Sequence, residues 1–167
     1  MDKKIRNLTH AAIIAALYVV LTYLQNLIIP NSTSWAIQCR ASEALCVLAF
    51  FTHAAIPGLT IGCLLFNFSY AAALPLDIVV GTLATLLAAF AMWRTRKLTV
   101  KGLPLVGLAM PALTNAILVG WELTVYIGDA FLVNALYVAL GELIVLYTLG
   151  ILLYLTIKRR HLDSTIR

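Results

Sequence analysis

Five of the seven acids in this 167-residue chain stand in or beside long apolar runs. Charge in such surroundings is costly and marks a site or a partnered pair. Glu142 is the most deeply placed, eleven residues into the run that begins at Phe131 and so about 16 Å along a helix. At 100° per residue Asn134, Gly141 and Glu142 share one broad face, with Tyr137 at its far edge. Gly141 leaves room beside the carboxylate for a ligand or another helix. The same residues equally suit a neutral Glu142 hydrogen-bonded between helices. Asn115 and Glu122 are seven apart and share a face, and Tyr126 joins them if the helix continues past Trp121. A carboxylate, an amide and an aromatic ring on one face can read a flat heterocycle. The acid accepts from ring N–H groups, the amide donates and accepts, and the ring stacks. Asn115 alone also fits a hydrogen-bonding link between helices.

Arg40 and Glu43, three apart, can pair across a helical turn or face a ligand. Asp77 follows Pro75 where a helix begins, so it can cap that helix or reach a ligand. Asn67 and Tyr70 share a face and are weaker candidates. His10 and His53 have no metal partner in reach, and Cys39, Cys46 and Cys63 have no metal-like spacing. No metal is expected, and the cysteines read as small apolar fillers. Ala11 and Ala15, like Ala12 and Ala16, stand four apart, a spacing that lets another helix approach closely.

Composition states what must hold these residues. The chain is 62% hydrophobic and 11% charged, with a mean hydropathy of +0.96. A soluble domain carries roughly 25% charged residues, so there is too little polar surface to cover a fold in water. A bilayer core about 30 Å thick needs roughly 20 apolar residues per helix, which allows about six spans and no soluble domain. Apolar runs punctuated by Gly, Pro and charge place the spans at about residues 8–29, 41–55, 59–74, 76–93, 103–121 and 131–157. The second and third are short, and the turn between them is expected at Pro57-Gly58. The first run is longer than a signal core and lacks a small-residue cleavage pattern, so it reads as a span.

Eleven of the twelve basic residues then fall on one side: Lys3, Lys4 and Arg6; Arg94, Arg96, Lys97 and Lys101; Lys158, Arg159, Arg160 and Arg167. Basic residues accumulate on the cytoplasmic side, so both termini are expected there. Nucleic acid is not needed to explain the net charge of +5. Arg40 is the exception. It shares the outer half with Glu43, Asp77, Glu122 and Asp129, near Trp35, Trp121, Tyr70, Tyr126 and Tyr137, aromatics that also suit ordinary interface anchors. No GxxxxGK[ST], HExxH or GxSxG occurs. The halves show no obvious inverted repeat.

Several stretches together resemble the QueT family. They are residues 11–22, Arg40-Ala41-Ser42-Glu43-Ala44-Leu45, and Ile56-Pro57-Gly58-Leu59 with Gly62 and Asn67. The run from Asp77 to Ala89 follows, then Asn115-Ala116-Ile117 with Gly120 and Glu122, and Gly141-Glu142-Leu143. They run in order over nearly the whole chain.

The resemblance implies an all-α integral membrane protein of six transmembrane helices. It would be a bundle like the substrate-binding S component of energy-coupling factor (ECF) transporters, in a bacterial cell membrane. It implies an outward site for a queuosine precursor, such as 7-aminomethyl-7-deazaguanine or queuine. The residues for that site are Glu122, Glu142, Asn115, Tyr126, Asp77, Arg40, Glu43, Asn134, Tyr137 and Asn67. It further implies that Ala11, Ala12, Ala15 and Ala16 dock on a membrane coupling subunit served by two ATPase subunits. ATP is then used by those partners, and this chain is neither an enzyme nor a cofactor carrier. Substrate would be released inside by toppling in the bilayer. The chemistry fits: one carboxylate accepts both a ring N–H and the adjacent exocyclic amine, and a second faces the aminomethyl cation. The competing readings are an ion-coupled secondary transporter with Glu142 as its proton site, a membrane enzyme and an assembly scaffold.

Overall fold

The computed structural model describes residues 2–30, 32–33, 39–70 and 75–162. Trp35 and Arg167, named above, lie outside the described residues. The described residues are mainly helical, with no strand among them and one isolated bridge between Val100 and Leu103. The elements are α1 (Lys3–Ile28), a 3-10 helix (Ala41–Phe50), α2 (Ala55–Ser69), a 3-10 turn (Pro75–Ile78), α3 (Val80–Thr95), α4 (Leu105–Leu108), α5 (Met110–Ile127), α6 (Phe131–Val145), a π turn (Leu146–Gly150) and α7 (Ile151–Arg159).

Four stretches are long and apolar enough to cross a membrane: Lys3–Ile28, Pro75–Thr95, Leu105–Ile127 and Phe131–Arg159. Ala41–Phe50 and Ala55–Ser69 are apolar but shorter. The outer surface is apolar, with Leu8, Leu27, Ile28, Phe68, Val79 and Leu132 each 67–78% exposed. Arg40, Glu43, Asp77, Glu122 and Glu142 are buried. Polar inside and apolar outside is the arrangement of a chain solvated by lipid.

Ala41–Phe50 lies at the centre of the bundle, with eight of its ten residues buried. A 3-10 helix rises about 2.0 Å per residue, so ten residues reach about 20 Å, further than the α form. Its three-residue period stacks Cys46 beneath Glu43. The turn after it falls at residues 51–54, not at Pro57-Gly58 as the sequence suggests. Pro57 instead sits in the first turn of α2, where its missing N–H costs nothing.

Gly58 and Gly62, four apart, press α2 onto α1. A Cβ at Gly58 would come within 2.8 Å of the Ala11 carbonyl oxygen. At Gly62 it would come within 2.8 Å of Tyr18 Cβ and 3.0 Å of the Ala15 oxygen. Ala11 and Ala15 are therefore spent on internal packing, while Ala12 and Ala16 are exposed. This corrects the expectation of one docking face made of all four alanines: successive residues lie 100° apart, so the two pairs divide between interior and exterior.

Gly120 likewise lets α5 lie against α6, where a Cβ would stand 2.8 Å from Ala135 Cα. The run predicted at 103–121 is broken after Leu108, and α5 continues past Trp121 to Ile127. Glu122 and Thr124 turn inward and do not end it; Gly128, with φ 80, does. The last helix is interrupted by the π turn, which begins one turn after Glu142.

Candidate functional site

The polar interior is assembled by side chains from most elements of the bundle. From α1, Tyr18, Thr22 and Asn26 form a stripe with four-residue spacing. The Tyr18 hydroxyl donates to Glu43 Oε1 at 2.6 Å, and Thr22 Oγ1 donates to Ser42 Oγ at 2.8 Å. Asn26 exchanges hydrogen bonds with Thr33 Oγ1 at 2.9 and 3.1 Å. The Cys46 thiol contacts Glu43 Oε2 at 3.2 Å. Both oxygens of Glu43 are thus partnered.

Arg40 enters from just before the Ala41–Phe50 helix and is 6% exposed. Its Nη2 lies 2.9 Å from Asp77 Oδ2, and its Nε donates to the Thr33 carbonyl at 3.2 Å. The local Arg40–Glu43 pair considered from sequence is therefore not formed, because the guanidinium finds its counter-charge across the bundle. Asp77 does not cap α3 either: the N-cap is Val79, without a side-chain bond. Asn67 Nδ2 donates to the Asp77 carbonyl at 2.7 Å, holding that turn. A Cβ at Gly81 would collide with Asp77 Oδ1, so glycine makes room for the acid. Gln25 links Ser32 to Cys39 and Ala41. Its amide donates to Ser32 Oγ at 2.9 Å and to the Cys39 carbonyl, and its Oε1 accepts from the Ala41 N–H at 2.7 Å.

From α5 and α6, Asn115 Nδ2 donates to Glu142 Oε1 at 2.9 Å. Arg40, Glu43, Gly81, Thr85, Asn115, Val119 and Glu142 line a cavity of about 10 Å³. That is the scale of a single water, too small for a heterocycle. Glu122 is buried beside this cavity, within Coulombic reach of Asp77 and Arg40, but does not line it.

Four buried carboxylate oxygens have no protein donor among the described residues: Asp77 Oδ1, Glu122 Oε1 and Oε2, and Glu142 Oε2. Buried polar atoms are nearly always partnered, so these are the acceptors on offer. Among the described residues four buried acids surround one buried guanidinium, a surplus of acceptors that an N–H-rich guest could meet.

The remaining candidates stand apart. Asn134 is buried, but its amide donates to Thr124 Oγ1 at 3.2 Å and so links α5 to α6. Tyr126 and Tyr137 are about 40% exposed. Tyr126 is on the expected face, but in the last turn of α5, where its hydroxyl accepts from the Leu76 N–H at 3.3 Å. It belongs to the rim and does not line the cavity. No group of three or more metal-ligating side chains occurs among the described residues. Tyr18, Thr22, Ser42, Thr85 and Gln25 were missed from sequence. The i, i+4, i+8 polar stripe of α1 was the available signal for Tyr18 and Thr22.

The family model described as QueT transporter matches residues 8–159. A protein of Lactococcus lactis subsp. cremoris (strain MG1363), named Queuosine precursor transporter QueT, is 44% identical over 77 residues. That match covers 45% of this chain and 42% of the relative. No solved structure matches the chain. Since the family match extends over most of the sequence, the chain belongs to the QueT transporter family.

Proposed function

We propose that this chain is the substrate-binding membrane subunit of an ECF-type importer and captures a queuosine precursor of the 7-deazaguanine class, such as 7-aminomethyl-7-deazaguanine or queuine. The observation that carries the reading is the set of unpartnered carboxylate oxygens around the Arg40–Asp77 pair. A 7-deazaguanine offers a ring N–H beside an exocyclic amine, which one carboxylate accepts together. Its aminomethyl group is the cation that a second carboxylate balances. The name of the Lactococcus relative, a queuosine precursor transporter, supports the substrate class.

The importer is proposed to sit in a bacterial plasma membrane with six spans and both termini inside. The shorter Ala41–Phe50 and Ala55–Ser69 elements would complete the six. Cysteines placed at Lys4, Arg96 and Arg159, in a Cys39→Ser background that keeps only the buried Cys46 and Cys63, should resist an impermeant thiol reagent added to intact cells, while one at the exposed Pro30 should react. Labelling at Arg96 from outside would rule out this topology.

Energy would come from two ATPase subunits through a membrane coupling subunit that docks on Ala12 and Ala16. These exposed alanines border an apolar groove lined by His10, Ile13, Ile14, Leu17 and Leu48. Ala12→Trp should leave ligand binding by the purified chain unchanged. It should lower ATP-dependent uptake by about five- to a hundredfold, the effect of forcing bulk into a close interface at about 1–3 kcal/mol. Uptake that persists without the ATPase subunits and collapses with a protonophore would instead favour the ion-coupled alternative with Glu142 as proton site.

A further inference from the structure

The carboxylate oxygens left without a protein donor among the described residues fall into two groups. One stands alone: Glu142 Oε2, on the carboxylate whose Oε1 is held by Asn115 at 2.9 Å. The other three are Asp77 Oδ1 and both oxygens of Glu122, two acids within Coulombic reach of each other. Asn115, Val119 and Glu122 share one face of α5, which places Glu122 two turns, about 10 Å, from Asn115. The Pro75–Ile78 turn is brought to the Gly128 end of α5 by the bond from the Leu76 N–H to the hydroxyl of Tyr126, one turn beyond Glu122. Asp77 follows Leu76 in that turn. Its Oδ2 is on Arg40, and its Oδ1 lies against Gly81, a wall of the small cavity that Asn115 and Glu142 also line. Asp77 and Glu122 are 6% and 1% exposed, so bulk water does not satisfy these oxygens.

We propose that Asp77 Oδ1 and Glu122 form the subsite for a primary ammonium, the aminomethyl group of the guest, and that Glu142 with Asn115 reads the base edge. The assignment rests on the 7-deazaguanine reading above and deepens it. A primary ammonium has three N–H donors and no acceptor, which matches three oxygens without donors. With it bound, two cations, Arg40 and the ammonium, stand against two carboxylates. Glu142 suits the flat edge instead. Each carboxylate oxygen has two lone pairs, so Oε1 accepts from a ring N–H alongside Asn115 while Oε2 accepts from the exocyclic amine. The base edge and the 7-substituent lie on opposite rings of the bicycle, which fits one anchor at Asn115 and another two helical turns away at Glu122.

The test measures Kd of the purified full chain for 7-aminomethyl-7-deazaguanine and for 7-methyl-7-deazaguanine, which keeps the base edge and lacks the cation. Glu122→Gln should weaken the aminomethyl compound by roughly ten- to a hundredfold. It should change the methyl compound by no more than about twofold, the additivity of separated contacts. Retained binding of the methyl compound also shows that the variant is folded. Glu142→Gln should weaken both compounds by the same factor. An unselective effect of Glu122→Gln, or none, would overturn the assignment while the deazaguanine reading stands. So would selective loss of the aminomethyl compound in Glu142→Gln, a comparison that still decides if Glu122→Gln does not fold. Failure of the unaltered protein to bind either compound would remove the deazaguanine reading itself, and the assignment with it.

Discussion

Glu142→Gln should weaken binding of 7-aminomethyl-7-deazaguanine by roughly ten- to a hundredfold, the value of one charged hydrogen bond at about 1.5–3 kcal/mol. The geometry gives the reason. Glu142 Oε1 is already used by Asn115, while Oε2 is buried without a protein donor. In the Gln variant the carbonyl can keep the Asn115 bond, and an NH2 group then replaces Oε2. An approaching ligand N–H meets a donor in place of an acceptor, and the charge is lost as well. Glu122→Gln should show a comparable loss, since neither of its oxygens has a protein donor. The two variants should differ by ligand. The acid facing the aminomethyl cation discriminates against that ligand relative to one with a neutral substituent, and the acid reading the base edge affects both alike. If neither variant changes affinity for any deazaguanine in folded protein, both acids are structural.

Asp77→Asn should cost about 3–5 kcal/mol, because it leaves the buried Arg40 guanidinium without its counter-charge. In detergent this corresponds to a midpoint lowered by roughly 6–20 °C. Arg40→Met should be comparably damaging. Combining Arg40→Met with Asp77→Met should recover part of the loss, since a buried pair replaced together leaves no orphan charge. Single variants that shift the midpoint by less than about 3 °C would mean that the pair is solvated, and that the closed cluster described above is not the resting arrangement.

The helical class and the apolar exterior were legible because lipid solvation leaves a composition signal. The inward-facing acids were legible because charge inside apolar runs is rare. Partner choice was not. Arg40 and Asp77 are 37 residues apart, and nothing local distinguishes that pairing from the Arg40–Glu43 alternative three residues away. The division of the alanines was hidden for a related reason. Which pair faces inward depends on Gly58 and Gly62 of α2, that is, on tertiary contact and not on the sequence of α1. Ala41–Phe50 read as an ordinary short span, because an apolar run does not tell a 3-10 rise from an α rise. Tyr18 was passed over because, inside an apolar helix, an aromatic residue looks like core until its hydroxyl is placed on Glu43. Tyr126 was put on the correct face, but its depth depends on where the neighbouring Pro75–Ile78 turn lies.

The central claim is that the isolated chain recognises a cationic 7-deazaguanine through buried acids. The most direct measurement is calorimetric titration of the purified, folded protein with 7-aminomethyl-7-deazaguanine, set beside an analogue bearing a neutral group at the 7-position, guanine, and an anionic vitamin. Saturable one-to-one binding of the aminomethyl compound is expected, weaker binding of the neutral analogue, and none of the anion. Absence of heat with every deazaguanine, from protein that melts cooperatively, would contradict the account.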